Sequence, residues 1–146
     1  MSKRVPFDTT IDVRDSCLCL HAQRAARALA RRFDDAFRPT GLTNQQFSLL
    51  MALNRPEPPT MAPVAQLLGM DRTTLTAALK PLERRGLLRI EPGPQDRRSR
   101  HIVLTDAGHY ALAQAVPIWR ETHAAIEADL AGVDPSLLRM GLRTVA

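Results

Sequence analysis

Asp71-Arg72-Thr73-Thr74-Leu75-Thr76-Ala77-Ala78-Leu79-Lys80-Pro81-Leu82-Glu83-Arg84-Arg85-Gly86 places Leu75, Leu79 and Leu82 at i, i+4 and i+7. That spacing is one face of an α-helix. Asp71 stands where a capping carboxylate belongs, and Gly86 closes the helix after two arginines suited to its negative end. With the leucines turned inward, 100° per residue sends Thr73, Ala77, Lys80 and Arg84 to the opposite side, flanked by Arg72, Thr74 and Thr76. A helix that enters the major groove of DNA needs small polar residues and arginine on its first turns, because those turns meet the base edges. Threonine hydroxyls reach phosphates or base edges, threonine methyls and Ala77 suit thymine methyls, and Arg72 suits guanine or a phosphate. Bulky apolar side chains on this face would suit a protein partner instead. None is present. Pro81 removes one backbone donor and presses on the Ala77 carbonyl, which predicts a slight bend away from the base-reading turns.

The flanks complete the pattern. Upstream, Leu68-Gly69-Met70 reads as a glycine turn, preceded by a short helix over Met61–Leu68 with Thr60 as its cap and Pro63 in its first turn. Downstream, Leu87–Glu91 and Arg100–Leu104 read as short strands around the polar tip Pro92–Ser99. Two short helices joined by a glycine turn and followed by a basic hairpin predict a winged helix-turn-helix. Arg97, Arg98 and Arg100 cluster at the tip and descending strand, and arginine favours the narrow, electronegative minor groove. Asp96 lies beside them, placed to orient a guanidinium rather than cancel it.

Charge is focused on the same stretch. Residues 71–105 hold eight Lys or Arg against four acids, a net of +4 in a chain whose total is +5, whereas residues 106–146 hold three against five. Such focusing fits a polyanionic partner. The 146 residues, 45% hydrophobic and 24% charged, suit one folded domain or a domain whose terminal helices finish folding on a partner. No apolar run approaches the roughly 18 residues needed to span a bilayer. No apolar core or small-residue cleavage site follows the basic residues of the amino terminus, so a cytoplasmic address is expected. Two cysteines, Cys17 and Cys19, cannot build a disulfide framework. Glycine-rich phosphate loops, H-E-x-x-H, G-x-S-x-G and carboxylate–histidine catalytic sets are absent, so no enzyme is expected. His21, His101, His109 and His123 lack paired metal-ligand spacing, and neither a metal nor a cofactor is expected.

Outward again, Leu18, Ala22, Ala25, Leu29, Phe33 and Phe37 predict one helix from about Asp12 to Phe37, stopped by Arg38-Pro39-Thr40-Gly41. Thr43 and Gln46 form a capping box for a helix through about Leu53, with Phe47, Leu50 and Met51 on its apolar side. Arg55-Pro56-Glu57-Pro58-Pro59 is a stiff connector. Thr105-Asp106-Ala107-Gly108 opens a long helix through about Leu130, and a brief last helix starts near Pro135. The terminal helices carry more apolar face than a small winged core can cover, which predicts a homodimer. The expected fold is mainly α with a small β-hairpin wing. Residues 39–105 are the winged helix-turn-helix, and 1–38 with 106–146 are dimerisation helices of one intertwined domain. A two-fold dimer presents its reading helices about one DNA turn apart, predicting a pseudo-palindromic operator with half-sites roughly 10 bp apart.

Leu82-Glu83-Arg84-Arg85-Gly86-Leu87-Leu88, then Asp96-Arg97-Arg98-Ser99, then Leu104-Thr105-Asp106-Ala107-Gly108 resemble the signature of the MarR (multiple antibiotic resistance regulator) family, L-E-x-x-G-L, D-x-R-S and L-T-x-x-G. The resemblance implies a winged-helix core with first and last helices forming an obligate dimer. It also implies that Arg98 is the wing arginine entering the minor groove and Asp96 the acid that steadies it. Arg72, Thr73, Thr74 and Thr76 fall in the recognition-helix positions, with Lys80 behind them. Much of the family answers small ligands in a pocket between dimer helices and reading head. Here that pocket would draw on His21, Arg24, Phe47, Met51 and Trp119.

The expected function is a homodimeric, sequence-specific transcriptional regulator, a repressor released by a small ligand. Two alternatives stand beside it. The first is a thiol-based peroxide or redox sensor using Cys19, which falls at the position of the reactive cysteine in the family's hydroperoxide-sensing branch. Gln23 and Phe33 occupy the sites where that branch has tyrosines, and Cys17 and Cys19 point about 200° apart on a helix. The bland reading makes both cysteines small packing residues. The second alternative is a winged helix that binds a protein and reads no DNA.

Overall fold

Leu75, Leu79 and Leu82 are completely buried in the computed structural model of the chain, which describes residues 4–146. Met1, Ser2 and Lys3, the start of the amino-terminal stretch considered above, lie outside the described residues. The three leucines belong to helix α5 (Arg72–Arg84). They pack into one apolar core with Phe37, Leu49, Leu50, Val64, Leu88 and Ile102. Ahead of α5 come α1 (Phe7–Ser16), α2 (Leu18–Phe37), a 3₁₀ turn (Arg38–Thr40), α3 (Asn44–Leu53) and α4 (Met61–Leu68). After it come β1 (Leu88–Pro92), β2 (Arg100–Leu104), α6 (Asp106–Ala128) and α7 (Pro135–Val145). The fold is mainly helical with one antiparallel hairpin, as the periodicities predict. Ile90 pairs with Ile102, and Leu88 with Leu104.

Local chemistry explains the boundaries. Thr43 and Gln46 exchange both capping-box bonds: the Gln46 N–H donates to Thr43 Oγ1 at 3.2 Å, and the Thr43 N–H donates to Gln46 Oε1 at 3.1 Å. Gly69 and Gly86 take left-handed conformations at the ends of α4 and α5, with φ 64° and 72°. In each case the next residue's N–H reaches back five residues, Met70 to Ala65 and Leu87 to Leu82. This closure satisfies helix-end carbonyls and suits glycine, which has no Cβ to clash.

Three expectations change. The amino-terminal helix is two helices, not one. Cys17, with ψ 110°, interrupts it: its N–H closes α1 on the Val13 carbonyl, and its sulfur accepts the Leu20 N–H at 3.4 Å to open α2. No proline or glycine marks this break, so periodicity ran through it. Thr60 makes no side-chain cap; its extended backbone instead bridges His101, while the Ile102 N–H donates to the Pro59 carbonyl at 2.9 Å. The stiff connector thus lends one rung to the wing's sheet. Finally, β1 starts at Leu88 rather than Leu87, because Leu87 is spent closing α5. Among the described residues, no helix is long and apolar enough to cross a membrane.

Candidate nucleic-acid interface

α4, the Gly69 turn and α5 form the helix-turn-helix, and the buried leucines dictate which side of α5 remains outside. Arg72, Thr73, Thr74, Thr76, Ala77, Lys80 and Arg84 are all exposed. Asp71 caps the helix by accepting the Thr74 N–H at 2.7 Å. This bond holds the Asp71 carboxyl below the usual carboxylate range. The Thr76 hydroxyl donates to the Arg72 carbonyl at 2.8 Å. The helix continues through Pro81, whose own carbonyl accepts the Arg85 N–H.

The wing is built by its backbone. Asp96 Oδ1 accepts the Arg98 main-chain N–H at 2.9 Å, and the Asp96 carbonyl accepts from both the N–H and the hydroxyl of Ser99. The Gly93 N–H returns to the Ser99 carbonyl at 3.0 Å. Arg100 donates through Nη1 to the Arg97 carbonyl. Asp96 therefore shapes the turn on which Arg98 sits and does not grip its guanidinium. Among the described residues, no salt bridge engages Arg72, Lys80, Arg84, Arg97, Arg98 or Arg100. An exposed threonine-lined helix and an uncompensated arginine tip are what phosphate contact and groove entry require.

Sequence reasoning overlooked Gly93. A Cβ on Gly93 would strike the Ser99 hydroxyl and stand 2.7 Å from the Asp96 carbonyl oxygen, so glycine is required where the wing folds on itself. Its place just before the turn was the available signal.

The residues expected around a ligand do not line one cleft of the single chain. His21 and Arg24 line an open groove of about 540 Å³ on α2 with Arg27 and Arg31. Phe47 and Trp119 stack at 6.5 Å between ring centroids, linking α3 to α6, and Trp119 stacks in turn on His123 at 5.0 Å. Met51 is exposed. A second open cleft, about 740 Å³, lies between Thr40, Leu87 and the Tyr110–Gln114–Ile118 side of α6. Neither cleft includes Phe47, Met51 or Trp119. Cys19 is exposed and its sulfur accepts from Gln23 Nε2 at 3.0 Å, while Cys17 is half-buried at the helix break. Among the described residues, no group of three His, Cys, Asp or Glu side chains could hold a metal ion.

A helix-turn-helix with a groove-sized polar face beside an arginine-tipped hairpin defines a winged-helix DNA-binding transcriptional regulator. Known proteins place it further. Residues 40–99 match the MarR family. The chain is 40% identical to the M. tuberculosis transcriptional regulator MosR in complex with DNA, covering 88% of this chain and 93% of that one, with a TM-score of 0.79. It belongs to the MarR family. It is also similar to the transcriptional activatory protein BadR of Rhodopseudomonas palustris, 31% identical over 74% of this chain. The match spans 65% of BadR's length. The transcriptional repressor CouR bound to p-coumaroyl-CoA is 28% identical, covers 92% of this chain and 94% of its own, and superposes with a TM-score of 0.78.

Proposed function

We propose that the chain is a cytoplasmic homodimer that binds a pseudo-palindromic operator and represses transcription until a small ligand releases it. The observation that carries this reading is the pairing of two unneutralised surfaces, the α5 face from Arg72 to Lys80 and the wing tip at Arg97 and Arg98, on one rigid core. The duplex is the partner that fits both. Dimerisation, with residues 1–38 and 106–146 as the pairing helices around a 39–105 reading head, is supported by apolar side chains left outside on both terminal elements. Leu18 is 79% exposed on α2, and Leu137 and Leu142 are 62% and 51% exposed on α7. A single chain offers them no cover.

Release by a ligand is supported by CouR, whose structure holds p-coumaroyl-CoA, and by the Phe47–Trp119 stack, which joins the reading head to α6. Selection of bound duplex from a random pool, repeated with candidate inducers, tests operator and ligand together. A single, unrepeated half-site would overturn the dimeric reading. Steep loss of affinity with salt, near a log–log slope of −0.9 per phosphate, separates a DNA reader from a protein-binding winged helix.

The exposed Cys19 sulfur with its Gln23 donor favours one second reading, a peroxide-sensing repressor. Peroxide should then fail to release a Cys19→Ser protein from DNA. Unaltered release by that variant removes the reading.

A further inference from the structure

Between α2 and α3 the chain turns within six residues, and two side chains from outside that turn brace it. On one side Asp34 of α2 accepts from the Asn44 backbone N–H at 2.7 Å and from Asn44 Nδ2 at 2.8 Å. Asn44 is the first residue of α3, so a carboxylate on the dimerisation helix holds the positive end of the reading head's first helix. On the other side Arg85, at the end of α5, donates through Nη1 to the Gly41 carbonyl at 3.0 Å, across 44 residues. The turn itself is fixed by Thr40, whose hydroxyl donates to the Phe37 carbonyl and accepts the Leu42 N–H. Phe37 at the end of α2 already packs into the reading head's core, stacking on Phe47 at 4.7 Å, so what the polar contacts fix is the fine angle at which α2 leaves that anchor. Here one brace runs from α2 to α3 and the other from the turn to α5.

We propose that Asp34 and Arg85 are positioning residues that fix the angle between dimerisation helix α2 and reading helix α5, and thereby set which half-site spacing the protein accepts. This rests on the dimeric reading above. In a two-fold dimer any rotation of one head is doubled in the distance between the two reading helices, so the brace acts on spacing before it acts on the contacts within one half-site. It also assigns Arg85 to the protein rather than to a phosphate, unlike its neighbour Arg84. Asp34 is half-buried and Arg85 exposed, so their loss leaves the apolar core closed.

The test is a set of duplexes carrying a selected operator with its half-sites moved together or apart by one and two base pairs, plus a single half-site. Affinities are read by fluorescence anisotropy for wild type, Asp34→Ala, Asp34→Asn, Arg85→Ala and Asp35→Ala, with dimerisation followed by sedimentation and folding by circular dichroism. The preference for the best spacing over its one-base-pair neighbours should shrink at least about threefold in Asp34→Ala and Arg85→Ala, with half-site affinity held within about twofold. Asp34→Asn keeps an acceptor oxygen and should recover most of the preference. Asp35→Ala removes the adjacent carboxylate and its solvent-exposed pair with Arg38, leaves both braces in place, and should behave as wild type. Folded dimers of both alanine variants that keep the wild-type spacing profile overturn the proposal, as does a uniform loss on every duplex in Arg85→Ala, which would make Arg85 a phosphate contact. A monomeric wild-type protein overturns the dimeric reading and this proposal together.

Discussion

The main-chain N–H of Arg98 donates to Oδ1 of Asp96 at 2.9 Å, so the wing's carboxylate holds the arginine's backbone and leaves its guanidinium pointing outward without an acidic partner among the described residues. The order of roles follows. Asp96 makes the turn, and the turn presents Arg98.

Arg98→Ala should therefore weaken duplex binding most where the flanks are A·T-rich, and should make the log–log salt slope shallower by about 0.9, one phosphate's worth. Asp96→Ala should lose affinity through a loosened turn, whereas Asp96→Asn, which keeps an acceptor, should lose less. Anisotropy titrations at several salt concentrations check all three. Equal losses for Asp96→Asn and Asp96→Ala would contradict the backbone role.

On the reading helix, Thr76→Val preserves shape and removes a hydroxyl that the structure spends on the Arg72 carbonyl. Thermal stability should hardly move. Base preference in a pool selection should change more than overall affinity, because what alters is the polarity presented to the groove.

Gly108 lies in the first turn of α6, and a Cβ there would drive into the Leu87 carbonyl oxygen and press within 3.2 Å of Leu104 Cδ2. The Leu87 carbonyl also accepts the Thr105 N–H, so it has nowhere to retreat. Gly108→Ala should destabilise the protein by about 1–3 kcal/mol despite alanine's better helix propensity. Leu79→Ala, which empties a fully buried site, should cost about 2–5 kcal/mol. Urea titration measures both, and a neutral Gly108→Ala would mean that the α6 contact is soft.

A charge on the apolar side of α7 should part the proposed dimer. Leu142→Asp is expected to raise the dimer dissociation constant at least tenfold, about 1.4 kcal/mol, with the helical circular dichroism signal retained. Sedimentation equilibrium reads the outcome, and an unshifted constant would move the interface elsewhere.

The Asn44 backbone amide, and after it the Asn44 side chain, hold the Asp34 carboxyl below its ordinary range. A depressed carboxyl contributes stability that is complete above the unfolded-state value of about 3.9 and is lost as pH falls through the lower folded value. Melting temperature in wild type should thus fall more steeply below about pH 4 than in Asp34→Asn. Parallel curves would show that the bond to Asn44 is not maintained in solution.

Most of the reading head was legible from residues alone because its signals are local. Leucines at i, i+4 and i+7 orient α5, Asp71 and Thr43 cap by bonds within three residues, and Gly69 and Gly86 end helices through their own backbone freedom. The break at Cys17 was not legible, since a cysteine that closes one helix and opens the next looks like any other small residue in a helical period. Nor was the Thr60 bridge, whose partner His101 lies 41 residues away.

Order along the chain, helix faces, caps and the clustering of arginine on the hairpin came from the sequence by itself, because each depends on neighbours within a turn or two. Only the tertiary structure decided which partners distant residues took: Asp34 with Asn44, Arg85 with Gly41, Phe47 with Trp119, and Gly108 against Leu87. The same folding lined a groove on α2 with His21 and Arg24 and stacked Phe47 on Trp119, since a helix face read from periodicity says where a side chain points and not what packing brings opposite it.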